Sequence, residues 1–540
     1  MRLLILGGTR FLGRHLVEAA LARGDEVTLF TRGRQENPWG ERVALRTGDR
    51  DPSLGEGLRS LETGEWDAVI DTTAYVPRIV SASAALLAGR VGQYLLVSSL
   101  SAYADASVAG ITEDAPLAAL TEPESEDISR HYGALKAACE QALLAHFPKA
   151  LIVRPGLIIG PHDPTDRFSY WPARFAAPHL LGERGDTALL PAPPERPLQW
   201  IDVRDLAEWM LHLLHSGQTG SFNAVTAPGS VSFADLHAAL LELSPTPPAT
   251  AWVDEALLER EGLVPWSGLP LWIPASSREF GGFMQFANDK AVAAGLQLRP
   301  LADTLRDTLT WLQQRDQTGC WQNVLSAERE QAILQMLPKW RRESEIIMLQ
   351  SQLSFLLELD KLKGILRKTR PVGLDRQENS AEHSWHVALM AMLLAEHAEP
   401  AVDVSRVVKI LLLHDIVEID ADDTFLYDDS GAAEKAAKET AAAERLFGML
   451  PPRQASEFMA LWREYEDRQT PEGRFAYACD RLLPMLQNLA NGGYSWRENQ
   501  VRFEQVIRKN LPIKDAAPAL WQYVLPRLEQ ARDAGWLGQP

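Results

Sequence analysis

Two sets of residues in this 540-residue chain could do chemistry. The later set begins at His383, which follows Glu378-Asn379-Ser380-Ala381-Glu382. It continues where Leu411-Leu412-Leu413 runs into His414-Asp415, with Glu418 three residues past the aspartate. Asp422-Asp423 comes next, and a single Asp480 stands in Tyr477-Ala478-Cys479-Asp480-Arg481-Leu482-Leu483. Each lies in apolar surroundings of helical period, where an imidazole or carboxylate without a partner is costly. A divalent cation is the natural partner for such a set. A metal that lowers the pKa of water and clamps a phosphoryl oxygen would make it a centre for breaking phosphate esters. The earlier set is Tyr132 and Lys136, four residues apart and so on one helix face. An ammonium beside a phenol favours the phenolate. That equips Tyr132 to move a proton at a substrate oxygen during hydride transfer.

The elements that must hold these sets differ in kind. Arg2 to Leu6 is a short apolar run stopped by Gly7-Gly8. Thr9-Arg10-Phe11-Leu12-Gly13 follows, then His15 to Ala22 with helical spacing, Gly24-Asp25 as a stop, and the strand-like Glu26-Val27-Thr28-Leu29-Phe30. Strand, glycine turn, helix and strand within a few tens of residues is the dinucleotide-binding unit, in which a pyrophosphate approaches the turn and the helix N-terminus. Val69 to Ala74 and Tyr94 to Ser99 read as further parallel strands ending in small polar residues, and ligands bind at the carboxyl ends of such strands. The second strand ends Phe30-Thr31-Arg32-Gly33-Arg34, without an acid for a ribose 2′-hydroxyl. Arg32 and Arg34 suit a 2′-phosphate, which favours NADP over NAD.

From Met348 onward helical period dominates. Asn379 and Glu382 form the pattern of a capping box, placing His383 in the first turn of a helix through Trp385, Ala388, Leu389 and Met392. Val407 to Ile419 reads as a second helix, on which His414, Asp415 and Glu418 share a face. Two domains are expected: residues 1–337, of α/β type with a Rossmann-type doubly wound parallel sheet, and residues 348–540, all α. A charged, proline-started linker over 338–347 joins them.

A net charge of −18 argues against nucleic-acid and anionic-membrane partners and leaves small molecules. Cys139, Cys320 and Cys479 are far apart and odd in number, which fits a reducing cytoplasm. No apolar run nears the ~18 residues of a spanning helix, and the first residues lack a signal-peptide pattern. A homo-oligomer is expected.

Residues 1 to about 315 resemble the extended short-chain dehydrogenase/reductase superfamily of the NAD-dependent epimerase/dehydratase type. The match rests on Gly7 through Gly13, Gly48-Asp49, Val97 through Tyr103, Tyr132 with Lys136, Arg154-Pro155-Gly156 through Gly160-Pro161, and Trp200 through Ala207. The resemblance implies that Gly7, Thr9, Arg10, Phe11, Leu12 and Gly13 hold the dinucleotide, with Asp49 by the adenine. It makes Tyr132 the acid/base and Lys136 the residue that holds the nicotinamide ribose, with Ser99 or Ser101 completing the set. Arg10 stands where the family pattern has its middle glycine.

Residues 348 to about 500 resemble the HD-domain metal-dependent phosphohydrolases, in the branch of the 5′-deoxynucleotidases. Here the match rests on Glu378-Asn379 with Glu382-His383-Ser384, His414-Asp415 with Glu418, Asp422-Asp423, and Thr470-Pro471-Glu472 leading through Arg474-Phe475-Ala476 to Asp480. It implies that His383, His414, Asp415 and Asp480 ligate one divalent metal (Mn, Co, Mg, Fe or Zn). Glu418 would work on the attacking water, Asp423 at the phosphate or sugar side, and Arg367 on the phosphate. Lys368 falls near the family's tryptophan and supplies no aromatic wall. The expected protein is a bifunctional fusion: a nucleoside 5′-monophosphate phosphohydrolase behind an NADP- or NAD-dependent reductase or epimerase. The alternatives are a first domain that only senses dinucleotide, or an HD domain that binds nucleotide as a signal without cleaving it.

Overall fold

Seven parallel strands form the main sheet of the first half. Their order is Gly220–Ala224, Leu151–Pro155, Val91–Val97, Trp66–Asp71, Arg2–Leu6, Glu26–Thr31 and Val43–Thr47. This computed structural model describes every residue except 36, 278, 316–320, 428–431 and 539–540. It divides into two compact units, Met1–Trp340 and Arg341–Pro540. The inner strands are apolar on both faces because both faces are covered: Leu3 and Ile5 belong to one buried cluster, Leu4 and Leu6 to another. Chain order reverses between Arg2–Leu6 and Trp66–Asp71, and that switch point lies beside the glycine turn.

The turn needs its glycines for two separate reasons. Gly7 and Gly8 sit at φ 102° and 107°, where side chains are strained. Gly13, in the helix Phe11–Arg23, lies so close that an added Cβ would be 2.3 Å from the Gly8 Cα. Tyr132 and Lys136 ride on the helix Ile128–Leu144. The rest of the unit closes over two small parallel pairs, Thr187–Pro191 with Ala249–Val253 and Leu157–Ile159 with Trp200–Asp202. Their core gathers Phe168, Trp171, Phe233 and Trp272.

Within 341–540 every regular element among the described residues is helical. The helix Pro471–Ala490 packs against Ser380–Leu394, Val404–Leu413, Pro452–Asp467 and Phe503–Ala516, so Asp480, near its middle, is placed in the core. Residues 338–347, within which the two units divide, lie in the helix Ala327–Leu359. The strong helix formers around Pro338 outweigh that single proline. The expected helix Val407 to Ile419 is also redrawn: Val404–Leu413 stops at Leu413, and Glu418–Ala421 forms a separate turn of helix. No helix among the described residues is long and apolar enough to cross a membrane. Cys139 and Cys479 are free and buried, and Cys320 lies outside the described residues.

Candidate metal and dinucleotide sites

The Asn379 cap is built as its sequence implies. Its Oδ1 accepts from the Glu382 amide at 2.9 Å, and Glu382 Oε1 accepts from the Asn379 amide at 2.7 Å. The first turn is fixed by that exchange, and His383, four residues on, is fully buried. The His414-Asp415 pair is positioned by the break after Leu413. Ile416 and Glu418 bond back three residues, to Leu413 and Asp415, so the chain tightens into a turn there. His414 Nδ1 lies 2.7 Å from the Leu411 carbonyl. A carbonyl only accepts, so Nδ1 carries the proton and Nε2 presents its lone pair.

That lone pair decides what the site can hold. His414 Nε2 is buried without a hydrogen-bond partner, 3.1 Å from Asp415 Oδ1 and 3.6 Å from Asp480 Oδ1. A lone pair facing two carboxylate oxygens is repulsive unless a cation lies among them. His383, His414 and Asp415 offer ligand atoms that all fall within 4.8 Å of one another, and Asp480 Oδ1 is 2.9 Å from His383 Nε2. The first three could hold a divalent ion, and Asp480 adjoins both histidines.

Two neighbours that sequence reading left without a role hold these ligands in place. Glu378, itself buried, lies 3.3 Å from His383 Nδ1 and accepts from the Thr369 hydroxyl at 3.0 Å and from Gln487 Nε2 at 2.6 Å. Tyr465 donates to Asp480 Oδ2 at 2.7 Å, and its ring lies against His414 at 4.9 Å between centroids. Such outer partners set the orientation and tautomer of metal ligands. Glu378 is quoted in the motif, but its partner Gln487 is more than 100 positions away, beyond any local spacing rule.

The remaining groups make the electrostatics. Arg367 donates to Asp415 Oδ2 at 2.8 Å and lies 3.6 Å from Glu418, 3.6 Å from Asp423 and 3.9 Å from Asp480. Burial and then Asp415 push Glu418 well above the usual carboxylate range, and its Oε2 has no hydrogen-bond partner. Burial also raises Asp423. Burial works the same way on Asp480, yet Arg481 and the His383 hydrogen bond hold it well below that range. All of these except the fully buried His383 line a cavity of about 420 Å³ that also exposes Lys368, Phe425, Tyr427 and Trp496. Its volume suits a small ligand.

In the first unit, Thr9, Arg10 and Phe11 line a cavity of about 320 Å³. Leu12 and Gly13 are buried in the helix behind them. Arg32 is exposed, and Asp49, half-buried, accepts from the Asp51 amide at 3.0 Å. Ser99 Oγ accepts from the Ser101 amide at 3.1 Å.

Lys136 is held by the backbone of two strand ends. Its ammonium donates to the carbonyls of Ala74 and Val97, at 2.7 Å each, and lies 4.9 Å from the centre of the Tyr75 ring. Burial, followed by Tyr75, raises the Tyr132 phenol instead of lowering it, and burial takes Lys136 itself down to about 8. A lysine whose folded-state pKa lies below its unfolded value binds fewer protons in the folded state between the two. Stability should therefore rise with pH from about 8 towards 10.5. Lys136→Met is expected to flatten that slope, read from the melting temperature of the first unit across pH 7.5 to 10. An unchanged slope would refute the buried-ammonium account.

Residues 359–521 match the model of the HD domain, and residues 3–224 that of the NAD dependent epimerase/dehydratase family. The chain is 32% identical over 139 residues to 5′-deoxynucleotidase HDDC2 of Xenopus laevis, a match covering 25% of this chain and 68% of that protein. The human protein of the same name is 28% identical over 24% of this chain and 66% of its own length, so the chain spans about two thirds of these relatives. A predicted metal-dependent phosphohydrolase of Magnetospirillum magnetotacticum MS-1, of known crystal structure, is 47% identical, with 36% of this chain and 100% of that one covered at a TM-score of 0.34. The structure of UDP-glucuronic acid 4-epimerase of Bacillus cereus with NAD is 14% identical, covering 58% of this chain and 99% of that one at a TM-score of 0.41.

Proposed function

Because this chain belongs to the HD domain family through its second unit and its first unit matches the model of the NAD dependent epimerase/dehydratase family, we propose that it is a bifunctional enzyme whose second unit releases phosphate from nucleoside 5′-monophosphates. The observation that carries this is the His414 Nε2 lone pair aimed at two carboxylate oxygens, at the wall of a cavity that also holds Arg367. His383, His414, Asp415 and Asp480 would hold one divalent metal, and their mixed nitrogen and carboxylate set suits Mn, Co, Mg, Fe or Zn. When bound, the metal would acidify water and offset charge on the phosphoryl oxygens. Glu418, whose Oε2 has no hydrogen-bond partner, takes the proton of the attacking water as its ionised carboxylate. Arg367 and Asp423 work at the phosphate and sugar side. Lys368 offers no flat wall against a sugar 2′ position, so both ribo- and deoxynucleotides belong in the test.

Phosphate release from a panel of ribo- and deoxynucleoside monophosphates, with each metal in turn and after chelation, tests the reading. Metal-dependent release from at least one member is expected; release that chelator leaves untouched, or none from any, defeats it.

The first unit, in our reading, binds NADP in preference to NAD through Arg32 and works as a reductase or epimerase on a small molecule. Arg32→Glu should weaken NADP binding about tenfold and leave NAD nearly unchanged, since a guanidinium bonded to a phosphate contributes of order 1.5–3 kcal/mol; equal loss for both cofactors counts against the assignment. The Lys136 contacts with Ala74 and Val97 favour a second reading, a dinucleotide sensor without turnover. In that case Tyr132→Phe leaves cofactor binding and every measured function intact. A cytoplasmic location with small-molecule partners fits the charge of −18 and the free Cys139 and Cys479, and a homo-oligomer is part of the same proposal.

A further inference from the structure

The cavity of the second unit holds another guanidinium that the mechanism above leaves unused. Arg481 follows Asp480 on the helix Pro471–Ala490. Its Nε is buried with no hydrogen-bond partner. The closest carboxylate contact of that atom is Asp480 Oδ2 at 3.7 Å, outside hydrogen-bond range, and that oxygen already accepts from Tyr465. The guanidinium rests on the Tyr477 ring, 4.5 Å from its centre, and the Arg468 guanidinium reaches the same ring at 4.5 Å. Tyr477 and Arg481 are four apart on one helix, so their pairing is built into the sequence. Arg468 arrives from the end of Pro452–Asp467, where its backbone is held at φ 53°, a conformation that long side chains seldom adopt. All three residues line the cavity that contains Asp415, Glu418 and Arg367.

The contrast with Arg367 sets the roles apart. Arg367 is surrounded by Asp415, Glu418, Asp423 and Asp480 within 3.9 Å. A phosphate entering beside those carboxylates meets a guanidinium already committed to them. Arg481 Nε has a proton to donate and no acceptor, and a buried donor in that state is unfavourable until an oxyanion reaches it. The acids on the same wall do not cancel it: Glu439 is paired with Lys435 at 3.5 Å, and burial shifts both Glu439 and Glu466 towards their neutral forms.

We propose that Arg481, steadied by the Tyr477 ring and joined by the exposed Arg468, is the oxyanion-holding wall of this cavity and receives the non-bridging oxygens of a phosphate monoester. The proposal rests on the phosphate-ester reading of the site but not on which nucleotide is cleaved. The competing role for Arg481 is to neutralise Asp480 and nothing more.

Calorimetry on the full chain separates the two. Mn²⁺ affinity is measured first, and inorganic phosphate is then titrated into the Mn²⁺-loaded protein, for wild type, Arg481→Gln, Arg481→Lys and Tyr477→Leu. Arg481→Gln is expected to weaken phosphate binding about tenfold or more, as loss of a charge-assisted bond does. Arg481→Lys should recover part of the loss, and Mn²⁺ affinity should stay within about twofold. Phosphate affinity unchanged in Arg481→Gln, whatever happens to Mn²⁺, overturns the proposal, as does a wild type that binds no phosphate. If Arg481→Gln does not fold, Tyr477→Leu takes its place: weaker phosphate binding supports the wall and unchanged binding overturns it. A tenfold-type effect in a protein that hydrolyses no nucleotide would keep the wall and remove the nucleotidase reading.

Discussion

Asp415→Ala is expected to remove nearly all metal-dependent phosphate release. The loss should be about a thousandfold, because a metal-ligand carboxylate underlies several kcal/mol of transition-state stabilisation and each ~1.4 kcal/mol is a factor of ten. Two effects combine in this one substitution. His383, His414 and Asp480 remain, but the cluster of three ligand atoms within 4.8 Å of one another is broken. Arg367 also loses its 2.8 Å partner while staying within 3.9 Å of three other carboxylates. Removing one member of a buried ion pair usually costs about 3–5 kcal/mol, and those three neighbours should keep the stability loss well below that. The check is phosphate release beside a thermal melt and metal titration of the same sample. A folded variant that still releases phosphate within about tenfold of wild type would place the catalytic metal elsewhere.

Glu418→Gln should lower kcat by about 10²–10⁴, the usual worth of a positioned general base, while leaving metal affinity intact. The amide keeps the shape of the side chain and removes only its ability to accept a proton. Glu418 sits next to Arg367 but outside the set of ligand atoms drawn together by His383, His414 and Asp415. The split between kcat and metal binding is therefore informative. If kcat and metal affinity fall together, Glu418 is a ligand and not a base. If kcat changes less than about threefold, the water is deprotonated by another group, and Asp423, raised by burial, is the next to test.

What could be read from the chain alone follows the range of the interactions involved. The Asn379–Glu382 capping box spans three residues and was legible in full, so His383 could be placed before any fold was known. The run of parallel strands was legible because two-sided burial leaves an apolar signature in each strand. The helix expected to continue through His414 was not, because hydrophobic period cannot see the imidazole engaging the Leu411 carbonyl or the chain tightening after Leu413. Tyr132 and Lys136 have the right spacing, yet the ammonium is claimed by Ala74 and Val97, 62 and 39 positions away. Tyr465 and Gln487 were invisible for the same reason: each matters only through a residue brought to it by packing of whole helices.

The close approach of Gly13 to Gly8 has a genetic consequence. One methyl group at position 13 would meet the Gly8 backbone at 2.3 Å, so Gly13→Ala disables the dinucleotide turn by shape alone, with no charge or catalytic group altered. The buried residues of the second unit form a cluster of their own that includes none of the first unit's. An allele at Gly13 and an allele at Asp415 therefore form a separation-of-function pair. Complementation between them in one cell would show that the two activities can be supplied by different polypeptides; failure to complement would show that both must come from one polypeptide.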